Sequence, residues 1–172
     1  VKMLQKTTIQ LTVDGRVLLD NEDVSKEIRT EQISMSASLI SKLSGVREIL
    51  VAEQRKMALD KGYIMDGRDI GTVVLKDAEV KIFLTASVEA RAKRRYLQDK
   101  EAGMDVSLEV LKEEIEKRDY QDTHREVSPL KKADDAIVVD SSDLSIDEVV
   151  SEILDIINKK VMEWLNESRC YS

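Results

Sequence analysis

The chain has 172 residues and a formal net charge of −7, long enough for one domain with a small appendage and too acidic for a general nucleic-acid binder. One cysteine, Cys170, and one histidine exclude an internal disulfide, a His/Cys metal site and a Cys–His nucleophile pair, and the lone thiol fits a reducing compartment. No apolar run approaches the roughly 20 residues of a membrane span and no signal peptide stands at the N-terminus, so the expected setting is cytoplasmic, away from the membrane.

Residues 7–19 read as a β-hairpin. Ile9, Leu11 and Val13 alternate with polar residues, Asp14-Gly15 supplies a two-residue turn, and Val17 to Leu19 form the return. A short serine-rich helix over 34–41 follows, marked by Ile33, Ala37 and Ile40, and Ser44-Gly45 breaks it. The next helix carries Val46, Leu50 and Met57 on one face and Arg47 in its first turn. The macrodipole disfavours a cation there, by a few tenths of a kcal/mol to about 1. Arg47 therefore answers to another group, or holds a chance surface position.

The stretch Gly62 to Thr72 organises the chain. An apolar run over 62–66 reads as a buried strand, and it opens into Asp66, Gly67, Arg68, Asp69 and Gly71. Open α/β sheets place ligands at such strand ends. The Arg68 fork suits phosphate, and each Asp can accept from a base or hold a hydrated metal. A surface turn whose Arg and Asp pair with each other is the alternative. Val73-Val74-Leu75 continue beyond this loop, and Val80 to Leu84 form a second buried strand. Ser87 then caps a helix carrying Arg91, Lys93, Arg94 and Arg95. Arg91 and Arg95 are a like-charge pair at i,i+4, unfavourable unless something anionic lies between them; a solvated basic face with Glu89 beside Lys93 is the other reading.

After a break at Ala102-Gly103-Met104, Ser107 caps a longer helix. Leu108, Leu111 and Ile115 form an apolar stripe whose continuation lands on Arg118, Asp122 and Arg125. Side chains at these spacings share one side of a helix and can converge on one object. The bland reading is a helix end held by Arg–Asp pairs; the abrupt change from apolar to charged favours a ligand-facing end. His124 lies off the stripe. Pro129 ends the helical region, Ala136 to Asp140 form a third buried strand, and Ile146, Val149, Ile153 and Ile157 mark a last helix. Short strands alternating with helices indicate an α/β fold with a parallel sheet. The tail from Val161, with Trp164 and Leu165, extends that helix or docks loosely.

Taken together, the blocks Asp66 to Val74, Val80 to Leu84, Arg91 to Arg95, Arg118-Asp119 with Asp122 and Arg125, Ser128-Pro129-Leu130 and Asp134-Asp135-Ala136 closely resemble the bacterial cytidylate kinases, which are P-loop nucleoside monophosphate kinases. The resemblance runs over residues 7–158. It implies a P-loop kinase-type parallel sheet with flanking helices and a small mixed α+β monophosphate-binding insert. Residues 1–60 correspond to that insert, 61–158 to the C-terminal part of the kinase core with a lid over 95–117 hinged near Gly103, and 159–172 to a tail.

Carried over residue by residue, the resemblance implies cytosine recognition by Ser38, Arg47 and Asp69. Arg118 and Asp122 would take the ribose hydroxyls, and Arg68 and Arg125 the acceptor phosphate. Arg91, Arg94 and Arg95 would face ATP, and Asp66 would end its strand near the magnesium. The implied reaction is in-line transfer of the ATP γ-phosphoryl to CMP or dCMP with Mg²⁺, by a protein that is a monomer when complete. The motif G-x-x-x-x-G-K-[ST] occurs nowhere in the sequence. The expectation is therefore a chain that lacks the P-loop and the first, central strand, carrying the CMP site and lid and impaired in turnover by itself. The alternative is a non-catalytic CMP-binding or partner-binding module.

Overall fold

The computed structural model describes residues 2–60 and 62–169, without the side chains of residues 31, 38, 60 and 167–169. Cys170 lies outside the described residues. The chain divides into two units, Val1–Met65 and Asp66–Ser172.

In the first unit β1 (Ile9–Leu11) pairs antiparallel with β2 (Val17–Leu19), Ile9 opposite Leu19 and Leu11 opposite Val17. The turn is longer than the dipeptide Asp14-Gly15. Thr12 N–H donates to the Arg16 carbonyl at 3.0 Å and Gly15 N–H to the Thr12 carbonyl at 2.9 Å, which leaves Val13, Asp14 and Gly15 as the loop. Gly15, at φ 81°, supplies the left-handed residue that such a bulged hairpin needs. A third strand, β3 (Glu22–Asp23), pairs with β2 through Asp20 and Asn21, whose φ values are 49° and 71°. Asp and Asn are the residues that tolerate this conformation, so the Asp20-Asn21 dipeptide is itself a hairpin signal.

Helix α1 (Glu31–Ile40) begins earlier than the serine-rich run because the Thr30 hydroxyl accepts from Ile33 N–H at 3.4 Å. Helix α2 (Ser44–Met57) starts at Ser44, so Ser44-Gly45 opens the second helix and the break falls just before it, at Leu43 with ψ 110°. Val46 and Val51 are buried, and Arg47 is half-buried in the first turn.

The strand expected over 62–66 is absent: Tyr63 and Ile64 are 51% and 94% exposed and the segment joins no ladder. A strand is held by its neighbours, and no described strand runs beside this one. Ile70–Val74 forms a single π turn in which Val73 and Val74 N–H donate to the Asp69 carbonyl at 2.8 and 3.3 Å.

The second unit is built on a parallel pair, β4 (Ile82–Thr85) with β5 (Ile137–Asp140), Leu84 opposite Val139. Between them run α3 (Val88–Glu101) and α4 (Leu108–His124), packed on each other with Ala92 and Leu111 buried. Ser87 caps α3, its hydroxyl accepting from Ala90 N–H at 3.1 Å. The C-terminal end of α3 is a Schellman cap: Met104 N–H reaches the Asp99 carbonyl at 2.8 Å and Gly103 N–H the Lys100 carbonyl at 3.0 Å, with Gly103 at φ 77°. Ser107 holds the N-cap position of α4, but its hydroxyl donates to Glu109 at 2.9 Å instead of capping. Helix α4 ends at His124, ahead of Pro129, and Arg125 is extended at ψ 142°. Arg125 therefore leaves the helical face on which the periodicity placed it. Helix α5 (Ile146–Arg169) continues without interruption through residues 159–169.

Candidate active site

Of the charged residues after Met65, Arg68 reaches the C-terminal end of α4. Arg68 Nε donates to Asp122 Oδ2 at 2.8 Å, joining two groups 54 positions apart in sequence. The loop's arginine thus pairs with a carboxylate of α4, outside its own turn. Asp122 is 14% exposed and Arg68 43% exposed, so the guanidinium keeps an open side while its partner is nearly enclosed. The backbone holds this arrangement: Leu130 N–H donates to the Asp122 carbonyl at 2.7 Å, folding the segment after α4 back on the helix end.

Arg125 sits in that returning segment. Its Nε donates to the Ser128 carbonyl at 2.6 Å, with Ser128 at φ 50°. Its Nη2 is buried and has no hydrogen-bond partner among the described residues. A buried guanidinium donor without an acceptor is costly, and an anion is the partner that would satisfy it. Asp69 is buried at the start of the π turn, while Asp66 is exposed. At Gly67, between them, an added Cβ would lie 2.9 Å from Ile70 Cγ1, so a larger residue needs the Ile70 side chain to shift.

The three arginines of α3 are each engaged inside the protein. Arg91 donates from Nη1 and Nη2 to the two Asp119 oxygens at 2.8 and 2.6 Å and from Nε to the Ala86 carbonyl at 3.1 Å. Arg94 reaches the Ser141 carbonyl and, at 3.3 Å, the Leu144 carbonyl, tying α3 to the turn after β5. Arg95 Nε lies 3.0 Å from both oxygens of Asp99, a carboxylate that is 5% exposed. Carboxylates thus answer both members of the Arg91–Arg95 pair.

Asp119, assigned no role from sequence, is central to this cluster. The hydrogen bonds from Arg91 hold its carboxyl below the usual carboxylate range, and the charges of Arg91, Arg68 and Arg118 act in the same direction. Arg118 itself is exposed on α4. The missed signal was Asp119's i,i+3 spacing from Asp122, which puts two carboxylates one turn apart beside an Arg-rich helix. Of the residues expected from the first unit, Arg47 lies in α2, and the Ser38 side chain is outside the described residues. Among the described residues no group of three or more His, Cys, Asp or Glu side chains could hold a metal.

A parallel β-pair with a helical hairpin between its strands defines an α/β protein whose arginines are held by carboxylates. Known proteins agree. The family model for cytidylate kinase matches residues 1–159. A cytidylate kinase of Caldicellulosiruptor bescii is 54% identical over 164 residues, covering 94% of this chain and 73% of the relative. One from Bacillus pumilus is 52% identical over 160 residues, covering 91% and 71%. The chain belongs to the cytidylate kinase family, and with it to the P-loop kinase type of α/β fold. No helix among the described residues is long and apolar enough to cross a membrane.

Proposed function

We propose that this chain carries the acceptor-nucleotide site of an ATP-dependent CMP and dCMP kinase. The observation that carries the reading is the buried Arg125 Nη2, a guanidinium donor with no acceptor among the described residues, three positions beyond the Asp122 that holds Arg68. In this reading Arg68 and Arg125 grip the CMP phosphate, while Asp122 and Arg118 take the ribose hydroxyls. Asp69, as a buried acceptor, reads the cytosine amino group, and Arg47 and Ser38 are assigned to the base as well.

The reaction is attack by a CMP phosphate oxygen on the ATP γ-phosphorus. The bond to the β–γ bridging oxygen breaks, giving CDP and ADP with no covalent enzyme intermediate. The arginines neutralise charge and align the acceptor, and Mg²⁺ arrives with ATP, held mainly by phosphates and water. Asp66 is assigned to the magnesium side, and Arg94 and Arg95 to the ATP side, which requires them to exchange their present protein acceptors for phosphate. The same reading puts the protein in the cytoplasm, where CMP and ATP are.

The sequence has no G-x-x-x-x-G-K-[ST] loop, and this favours a second reading for these residues alone: a CMP-binding module that turns over only when a phosphate loop is supplied. Calorimetric titration with CMP, UMP and cytidine tests the acceptor site. Selective CMP binding supports it, and equal or absent binding of CMP and UMP refutes it. ADP release with ATP and CMP together then separates the kinase from the module.

A further inference from the structure

We propose that Asp119 and Arg91 are a positioning pair that locks the root of the α3–α4 hairpin and so sets where α4 presents Arg118 and Asp122. The proposal rests on the CMP reading above for its purpose, and on geometry for its existence. Arg91 uses both terminal nitrogens on the two Asp119 oxygens, at 2.8 and 2.6 Å, and its Nε on the Ala86 carbonyl at 3.1 Å. One planar group therefore fixes three segments to each other: the turn leaving β4, α3 and α4. A fork–fork pair of this kind constrains direction as well as distance, which a single lysine contact does not.

Its position gives that constraint leverage. Arg91 and Asp119 stand just outside the 95–117 stretch that would act as lid, one at each foot. One turn further along α4, Asp122 makes the second Arg–Asp pair, with Arg68 at 2.8 Å. The two pairs form a short ladder across α4, from the basic helix α3 on one side to the charged loop at 66–69 on the other. As a stability element the first pair is modest, because Arg91 and Asp119 are 36% and 40% exposed. Its effect is to hold α4 in register, so that a change at Arg91, which is assigned no contact with CMP, alters how CMP is held.

The test uses the full chain with Arg91→Lys, Asp119→Asn and the exchange variant Arg91→Asp/Asp119→Arg. CMP affinity should fall by about fivefold to twentyfold in each single variant, inside the range of ordinary coupling between distinct sites, and recover in part in the exchange variant. The urea midpoint should stay near that of the unmodified chain. Spin labels at Lys93 and Glu116, both exposed, read hairpin geometry without any nucleotide; the distance distribution should broaden in Arg91→Lys. An unchanged distribution together with unchanged CMP affinity overturns the pair's role and leaves the CMP reading standing. A fall in the urea midpoint with CMP affinity intact makes the pair merely structural and also overturns it. If the unmodified chain fails to bind CMP, the CMP reading fails and the purpose given to the pair fails with it, while the label distances still decide whether the lock exists.

Discussion

Asp122→Asn separates the two things Asp122 is asked to do. In the structure it holds Arg68 through Nε at 2.8 Å and is 14% exposed, while Arg68 is 43% exposed. Asparagine keeps the shape and one acceptor but removes the charge. Because the guanidinium is partly solvated, the lost attraction is about 1 kcal/mol, the upper end for exposed pairs. An anion approaching Arg68 in the variant no longer competes with that attraction, and about 1 kcal/mol corresponds to a fivefold gain in affinity for inorganic phosphate. A ribose hydroxyl instead loses a charged acceptor, worth about 1.5–3 kcal/mol, so cytidine should bind at least tenfold more weakly. CMP feels both effects and should weaken by several-fold. Titrations of the variant with phosphate, cytidine and CMP measure the three changes side by side. Weaker phosphate binding, or unchanged cytidine binding, would refute the division of labour between Arg68 and Asp122.

Other expectations follow from single residues. Arg125→Ala should weaken CMP far more than cytidine, because the buried Nη2 loses its place opposite the phosphate; equal losses would remove it from the phosphate site. Leu111→Ala, at a position 5% exposed between α3 and α4, should cost about 2–4 kcal/mol in urea denaturation, and a change below 1 kcal/mol would mean that the hairpin is not packed as described. Gly103→Ala meets no atom within 4 Å but must adopt φ 77°, so it should lower stability by about 1 kcal/mol through backbone strain alone. Asp119 has its folded pKa depressed below the ordinary 3.8, so its contribution is present above that value and is lost as pH falls through the folded pKa. With the carboxylate 40% exposed, that contribution is about a few tenths of a kcal/mol, and Asp119→Asn should flatten the urea midpoint between about pH 5 and pH 2.

Much of this fold is legible where local chemistry is decisive. β4, β5 and the Ser87 cap follow from β-branched runs and a hydroxyl at the right place, and the parallel pairing follows from strands alternating with helices. The segment 62–66 shows the limit of that approach. Its apolar composition reads as a strand, yet pairing is a property of neighbours, and Ile64 is 94% exposed where no ladder holds it. The tight turn at Val73 and Val74 is likewise set by one group, since the Asp69 carbonyl gathers both of their N–H groups.

The charged site divides in the same way. Arg68 and Asp122 are visible as candidates, each from its own pattern, but only the chain's return brings them to 2.8 Å. Helical spacing put Arg125 on the face of α4, whereas the helix ends one residue earlier and the side chain reaches its place through the Ser128 carbonyl. The spacing of Asp119 from Asp122 marks it as a candidate, but its role is set by Arg91, on another helix. Sequence periodicity reports one helix at a time; a fork between two helices leaves no period to read.

The parallel pairing of β4 and β5 also makes everything from Ala86 to Ala136 a single closed loop, clasped at Thr85 by Ser141 N–H at 2.8 Å and at Lys81 by Ile137 N–H at 2.9 Å. The entropy of closing such a loop grows only with the logarithm of its length, so its clasp is nearly indifferent to how long the excursion is. The far tip, residues 102–105, is exposed and lies between two independently capped or packed helices. A short peptide spliced in there would lengthen the excursion without touching either strand. The molecule thus offers a place where length can vary between relatives, or be added by hand, while the clasp keeps its register.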